Sequence, residues 1–303
     1  MPGGRRAGRL AVLGLAVLFA GCGSDVSVLP SATPTGVPLP TPVTTTFAPQ
    51  AMTWYAGLVI HVDSASAVLR AGIGTVTVGI RIENPGPDPA SLDAPIRLTS
   101  NGQVVEPVRG TELPDVEAGG SAAATIPFEV EAGFDVGLAT FRIGRTSEHQ
   151  VVVPLVAGAA ALVTNAPQAL VFKAVTATAG TLRLTLRSGE LRADLPDWGL
   201  ELLPQALALT LTYDAKYVGQ FGGGFAFTAA NVGLKLPNGT VIAPRTDGHS
   251  QSAAVLLPGA TSAGLASRFE VPIPGPGAYA LVIRDGKASA TIPVNVGAPI
   301  PGG

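Results

Sequence analysis

The sequence predicts an all-β protein with two tandem antiparallel β-sandwiches, which follow a signal peptide and a disordered spacer. Short apolar stretches alternate with polar residues, and turn signals recur about every 8–12 residues. Sequence blocks of the second half also repeat those of the first half. The predicted segments are a signal peptide (1–21), a Pro/Thr-rich disordered tether (22–52), a first sandwich (53–156) and a second sandwich (165–297).

The composition agrees with a turn-rich β protein and excludes some classes of partner. The 303 residues include 38 glycines and 27 prolines, and only 13% are charged. The formal net charge is −2, so the chain lacks the basic surface that nucleic acid binding requires. We therefore expect no nucleic acid partner.

The first predicted element is an export signal that ends at the only cysteine. Arg5, Arg6 and Arg9 precede an apolar run over residues 10–20, and Cys22 follows it directly. A run of this length fits the apolar region of a signal peptide and is too short to span a hydrocarbon core of about 30 Å. The Arg5-Arg6 pair lacks the flanking residues of a twin-arginine signal, which leaves that export route as the less favoured alternative.

The segment Leu18-Phe19-Ala20-Gly21-Cys22 resembles the lipobox of bacterial lipoproteins, with Phe19 where leucine is most common. The resemblance implies that the Cys22 thiol carries a diacylglycerol and that cleavage occurs just before it. The protein would then be lipid-anchored at the extracytoplasmic face of the cell membrane. The alternative is an ordinary secretory leader with an unrelated cysteine.

The predicted tether is rich in Pro, Thr and Ser and has almost no charge. Such segments favour extended polyproline II conformations, so the tether would hold the first sandwich away from the membrane.

The first sandwich is predicted from alternation and turn residues. Val76, Val78, Ile80 and Ile82 occupy every second position, which is typical of a half-buried strand. The segment 84–87 (Asn-Pro-Gly-Pro) ends that strand, and Asn101-Gly102 between two apolar runs predicts a tight hairpin.

The second sandwich is predicted as a copy of the first. Asn238-Gly239 repeats the Asn-Gly hairpin, and the Phe-Glu-Val at 269–271 repeats the one at 128–130. Residues 58–67 also resemble residues 170–179. Blocks in the same order favour an internal duplication over chance similarity between two β-sandwiches.

Two segments are particular to the second copy. Residues 187–205 form an insertion that contains Trp198, and we expect an extra hairpin or short helix that covers an edge or an end of the core. Residues 217–231 place the run Gly222-Gly223-Gly224 among aromatic residues. We interpret this segment as a flexible turn with core aromatics, and the alternative is a loop that faces a ligand or partner.

The strand at 75–84, the Asn-Gly hairpin and the strand after Gly119-Gly120 together resemble the immunoglobulin-like DUF4352 domain of bacterial lipoproteins. The matching positions are Asn84, Gly86, Gly102, Gly119, Phe128 and Val130. The resemblance covers residues 75–155 and, more weakly, 207–296. It implies two immunoglobulin-like sandwiches outside the cytoplasm, and it implies no reaction.

The candidate chemical residues do not form a catalytic or metal-binding set. His61 with Asp63 is too small a set for zinc, and Glu83, Asp88 and Asp93 lack the pattern of a calcium loop. The run Asp247-Gly248-His249-Ser250 holds three triad residue types in one loop, where they rarely reach triad geometry. Trp54 and Tyr55 are expected in the core. We predict no catalytic, metal-binding or cofactor-binding residue.

The predicted function is binding or scaffolding at the cell envelope, without enzymatic activity. The expected partners are the membrane, through a lipid on Cys22, and an unidentified envelope protein or ligand. One alternative is a passive structural spacer at the cell surface. The least favoured alternative is a hydrolase that uses the loop at 247–250.

Overall fold

The computed structural model describes residues 40–156, 162–247, 251–272 and 277–296. Within these ranges the regular structure is β-strand, with three single-turn 3₁₀ helices and no α-helix. The strands pair almost entirely in antiparallel sheets, so the predicted all-β fold is confirmed. The same residues contain no helix with the length and hydropathy of a membrane span.

The first sandwich consists of two sheets around one core. One sheet has the strand order β10-β2-β3-β4-β7, with β1 also paired to β3, and the other has the order β6-β5-β8-β9. The strands are β1 (Val43–Phe47), β2 (Ala51–Tyr55), β3 (Leu58–Arg70), β4 (Ile73–Glu83), β5 (Ile96–Ser100), β6 (Gln103–Val105), β7 (Ser121–Val130), β8 (Thr140–Ile143), β9 (Val151–Pro154) and β10 (Leu162–Thr164).

The second sandwich consists of two sheets as well, and each has four strands, in the orders β11-β12-β15-β20 and β18-β17-β21-β22. Two small hairpins, β13 with β14 and β16 with β19, extend from it. The strands are β11 (Gln168–Ala179), β12 (Leu182–Arg192), β13 (Asp194–Leu195), β14 (Leu200–Glu201), β15 (Ala206–Tyr217), β16 (Phe225–Phe227), β17 (Val232–Lys235), β18 (Val241–Ile242), β19 (Ala254–Leu256), β20 (Thr261–Pro272), β21 (Tyr279–Asp285) and β22 (Ala288–Val294).

The two sandwiches share one topology. The order β2-β3-β4-β7 corresponds to β11-β12-β15-β20, and β6-β5-β8-β9 corresponds to β18-β17-β21-β22. If β2 and β11 are left out, the two orders in each sandwich match the A-B-E and C′-C-F-G strands of immunoglobulin-like sandwiches. The shared topology is what an internal duplication predicts, and both Asn-Gly turns occupy equivalent positions after β5 and β17.

One block of the predicted repeat is wrong, because it matches strands that are not equivalent. Residues 58–67 lie in β3, and residues 170–179 lie in β11. The topological equivalent of β3 is β12, since each follows a tight hairpin and is the third strand from the edge formed by β7 or β20. Short strands rich in Val, Ala and Thr resemble one another, and their sequence does not encode their place in the sheet.

The predicted domain boundaries also change. The tether was predicted to extend to residue 52, but β1 pairs with β3 from Val43, and β2 begins at Ala51. At its other end, the first sandwich continues to Thr164, because β10 adds to β2 in parallel. Residues 1–39, including the predicted signal peptide and Cys22, lie outside the described residues.

Each sandwich has its own buried core. In the first, the alternating residues of β4 are buried as predicted, and Phe128 meets Phe141 edge-to-face at 6.3 Å across the two sheets. In the second, Tyr213 and Phe227 make a similar contact at 5.9 Å. The cores fix the loops at the ends of the strands, which is where the candidate site lies.

Candidate functional site at the junction of the two sandwiches

A cleft of about 830 Å³ lies where the two sandwiches meet. One wall is residues 84–93 of the first sandwich, here called the proline loop. The opposite wall belongs to residues 193–205 of the second sandwich, here called the inserted hairpin, and the turn between β2 and β3 also lines the cleft. Clefts between domains are preferred positions for ligand sites, so this cleft is the candidate site.

The proline loop is held in shape by one buried side chain. Asn84 donates from Nδ2 to the carbonyl oxygens of Asp88 (2.7 Å) and Val116 (3.1 Å). Its Oδ1 accepts a hydrogen bond from the backbone N–H of Gly86 at 2.9 Å. Three prolines further restrict the backbone of the loop. This wall is therefore preorganised.

The inserted hairpin presents an aromatic side chain to the cleft. Its tip is a single 3₁₀ turn, Pro196–Trp198, which Gly199 ends in the left-handed conformation that favours glycine (φ 58°). Trp198 lines the cleft and remains 47% exposed. The neighbouring Asp197 accepts a hydrogen bond from Arg268 Nη2 at 2.8 Å, which attaches the tip to the body of the second sandwich.

Two carboxyl groups of the inserted hairpin bind the first sandwich. The turn between β2 and β3 consists of Ala56 and Gly57, both with positive φ (52° and 88°). Ala56 N–H donates to Glu201 Oε1 at 2.6 Å, and Gly57 N–H donates to Asp194 Oδ2 at 2.7 Å. Asp194 and Glu201 are cross-strand partners in the inserted hairpin, so one short element places both acceptors.

The two carboxyl groups differ in their electrostatic environment. Asp194 is buried and is compensated by Arg192, whose Nε and Nη2 donate to its two oxygens at 2.6 and 3.0 Å. Glu201 Oε2 is buried and has no hydrogen-bond partner in the part of the chain that the structure describes. Burial, followed by the charge of Asp194, raises the pKa of Glu201 to about 9, although the N–H of Ala56 acts in the opposite direction. Glu201 is therefore protonated at neutral pH.

Further hydrogen bonds support the junction on the first-sandwich side. Tyr55 donates from Oη to Glu148 Oε1 at 2.5 Å, and burial raises the pKa of the Tyr55 hydroxyl well above its usual value. His149 contacts the second sandwich, where its backbone N–H donates to the Leu202 carbonyl oxygen at 3.0 Å. His149 Nε2 also lies 2.8 Å from the Ala206 carbonyl oxygen.

The equivalent turn of the second sandwich makes its bonds internally. This turn, Gly180-Thr181, joins β11 to β12. Both the N–H and the hydroxyl of Thr181 donate to Asp285 Oδ2 of the same sandwich at 2.6 Å. The Ala56-Gly57 turn differs because its backbone N–H groups donate to carboxyl groups of the other sandwich.

Two carboxylates of the proline loop remain available for a ligand. Asp88 and Asp93 line the cleft and are exposed. Among the described residues, neither side chain has a hydrogen-bond or ion-pair partner. With Trp198 opposite, they give the cleft the mixture of aromatic surface and polar groups that ligand sites combine.

The sequence-based candidates for chemistry do not come together. His61 lies 3.3 Å from Glu83 but without hydrogen-bond geometry, and Asp63 lies at a β-bulge beside Arg81. Across the described ranges, no three His, Cys, Asp or Glu side chains are grouped as a metal site. Asp247 pairs with Arg245, while His249 and Ser250 lie outside the described residues.

The aromatic residues singled out from the sequence divide between core and surface. Tyr55 is buried, and Trp54 is half-buried. In the glycine-rich segment, Tyr217 stacks on Phe225 and Phe227 is buried, as expected for core aromatics. Phe221 is different, because it is exposed.

Sequence reasoning missed Asp194 and Glu201. The insertion was expected to cover a core edge, and it does form the expected extra hairpin, but its carboxyl groups bind the other sandwich. One signal was present: two acidic residues flank a Pro-Asp-Trp-Gly turn at positions that pair across a short hairpin.

Comparisons with known proteins add no assignment. No protein family matches the chain, and no curated protein is significantly similar to it.

Proposed function

We propose that the chain is a non-catalytic binding protein of the cell envelope, anchored by a lipid on Cys22, and that its partner binds in the cleft between the sandwiches. The lipobox-like segment and the single cysteine support the anchor. One observation carries the binding site: Trp198 and the unpaired carboxylates of Asp88 and Asp93 line a preorganised cleft.

The anchor is tested by metabolic labelling with an alkyne-tagged fatty acid in a bacterial host. The parent chain should incorporate the label and fractionate with membranes. The Cys22→Ala variant should lose the label. Equal labelling of both chains would remove Cys22 as the lipid site.

The binding site is tested by photo-crosslinking in native envelopes. A benzophenone amino acid replaces Trp198 in one protein and Val171, which is exposed and outside the cleft, in a matched control. We expect a discrete adduct from position 198 only. The double variant Asp88→Asn, Asp93→Asn should weaken that adduct, because it removes the unpaired charges of the cleft.

The second candidate function is a structural spacer. It is favoured by the junction, where hydrogen bonds from Ala56, Gly57 and His149 fix the two sandwiches together. A lack of any specific adduct at position 198 would favour the spacer over the binding protein.

A further inference from the structure

Two paired segments at one end of the second sandwich contain no charged residues. They are residues 217–231 and 251–260, here called the uncharged tip, and they contain no Asp, Glu, Lys, Arg or His. The two segments are joined by pairing of β16 with β19 and by a hydrogen bond from Gly259 N–H to the Tyr217 carbonyl oxygen at 3.1 Å. The chain as a whole is 13% charged, so a surface of this size without charge is unusual.

The uncharged tip also exposes large apolar side chains. Phe221, Val255 and Leu257 are 70%, 67% and 54% exposed. The Phe221 ring lies over Gly223, where an added Cβ would stand 2.5 Å from the ring, and Gly224 lies against the Val255 side chain. Phe221 and Val255 therefore lie beside neighbouring glycines, and Leu257 is exposed two residues after Val255.

A rigid base holds these side chains outward. Tyr217 stacks on Phe225 with ring centroids 5.9 Å apart, and its hydroxyl accepts the Phe221 N–H at 3.2 Å. The Phe221 carbonyl oxygen accepts the Gly224 N–H at 2.9 Å, which closes the turn. These hydrogen bonds fix the backbone of the turn at Phe221 and Gly224.

We propose that the uncharged tip inserts Phe221, Val255 and Leu257 into the outer region of a lipid bilayer. A protein interface normally surrounds its apolar centre with a charged and polar rim, whereas neither segment of the tip carries a charge. Hydrocarbon penalises charge, and the burial of apolar side chains in it is favourable. The composition of the tip therefore fits hydrocarbon better than it fits a protein interface.

This membrane contact is separate from the proposed lipid on Cys22 and does not depend on it. A protein that is lipidated at its N-terminus and inserts the tip would lie along the membrane instead of extending from it. If the protein lacks the lipid on Cys22, its uncharged tip should therefore still bind vesicles.

The test uses the full chain with Cys22→Ser, which removes both the lipid site and the only cysteine. Gly222→Cys then provides one thiol on the tip for the environment-sensitive dye NBD. A Cβ at Gly222 contacts nothing within 4 Å, so the label should not disturb the fold. The matched control carries the label at Val104→Cys, an exposed position of the first sandwich.

On addition of phosphatidylcholine vesicles, NBD at position 222 should brighten and shift to the blue, and bilayer-buried quenchers should reach it. NBD at position 104 should not change. In the protein labelled at position 222, Phe221→Ser with Val255→Ser and Leu257→Ser should abolish the response, while circular dichroism confirms that the variant is folded.

The absence of a response at position 222 would overturn the proposal, and so would a response that survives the triple substitution. A response only with anionic vesicles that high salt abolishes would also overturn it, because the tip has no charge to attract them. A crosslink from position 221 to an envelope protein, without any vesicle response, would assign the tip to a protein partner instead.

Discussion

Glu201 is a residue whose acid–base behaviour the fold changes strongly. It accepts a hydrogen bond from Ala56 N–H, and its second oxygen is buried without a partner. Burial and the charge of Asp194 raise its pKa from 4.5 to about 9. The folded state therefore holds this proton more tightly than the unfolded state does.

The raised pKa predicts how stability depends on pH. Glu201 contributes fully below its unfolded pKa of 4.5, and its contribution falls as the pH rises through the folded value of about 9. The Glu201→Gln variant cannot titrate, so its free energy of unfolding should fall less between pH 5 and pH 9. Urea unfolding at several pH values measures this, and identical pH profiles for both proteins would contradict it.

Gly57 provides a second prediction at the residue scale, with Gly72 as its control. Both follow an alanine in two-residue turns and have similar φ (88° and 80°). An alanine Cβ at position 57 would lie 2.9 Å from Pro196 Cα of the inserted hairpin, whereas at position 72 its nearest neighbour is 4.0 Å away.

Gly72→Ala should therefore lower the free energy of unfolding by about 1 kcal/mol, from backbone strain alone. Gly57→Ala should lower it further, because it also displaces the inserted hairpin. Urea unfolding compares the two variants, and equal losses would show that Pro196 yields without cost.

Local chemistry explains which residues the sequence could predict. The Asn101-Gly102 turn was predictable because both residues have positive φ in a tight hairpin, a conformation that these residue types favour. The roles of Asp194 and Glu201 were not, because their donors are backbone N–H groups 137 and 145 positions away. Every residue except proline has a backbone N–H, so the sequence does not reveal which one donates to such a partner.

At the scale of elements, the inserted hairpin replaces a simple turn. In the first sandwich, β3 and β4 are joined by Ala71 and Gly72 alone. In the second, the equivalent strands β12 and β15 are joined by residues 193–205. The junction therefore depends on an element that the second sandwich does not need for its own strand order.

Replacement of residues 193–205 by Ala-Gly tests this separation. The second sandwich should still fold, because its core, except for Ala193, lies outside the hairpin, and circular dichroism should keep its strand signal. The two sandwiches should become mobile relative to each other, which raises the radius of gyration in small-angle scattering. An unchanged scattering profile would show that other contacts suffice to hold the junction.

Periodicity explains which elements were predictable. β4 was predictable because every second residue is apolar and faces one core. These residues, Val76, Val78, Ile80 and Ile82, are all buried. β1 was not, because its sequence Val-Thr-Thr-Thr-Phe lacks alternation and its first four residues are exposed. It is ordered by pairing with β3, which a tether-like composition conceals.

At the scale of the whole molecule, the segment between the sandwiches belongs structurally to the first. β10 pairs with β2, and Thr164 Oγ1 donates to Thr53 Oγ1 at 2.9 Å. Thr53 is fully buried beneath this strand. The last residues between the two predicted sandwiches therefore complete a sheet.

Two fragments test this assignment. Residues 40–164 should fold alone, because the first sandwich has a complete core. Residues 40–156 should be less stable by on the order of 1–3 kcal/mol, since removal of β10 leaves buried polar groups of β2 unpaired. Thermal unfolding compares the two fragments, and equal midpoints would show that β10 contributes nothing.

The sequence predicted two sandwiches because each one is specified by its own alternation and turns. Their contact could not be predicted, since it depends on the three-dimensional position of a few backbone donors. The internal repeat was visible in the Phe-Glu-Val blocks of β7 and β20, although the upstream block was matched one strand out of place.

The asymmetry of the junction limits how many such modules can join. A contact between one module's turn and the next module's hairpin is head-to-tail, and repeated without closure it would build a fibre. Here the series ends at both sides: the first sandwich has no inserted hairpin, and Asp285 already occupies the Thr181 donors of the second. Neither free end offers the missing half of the contact, so this contact cannot extend the pair into a polymer.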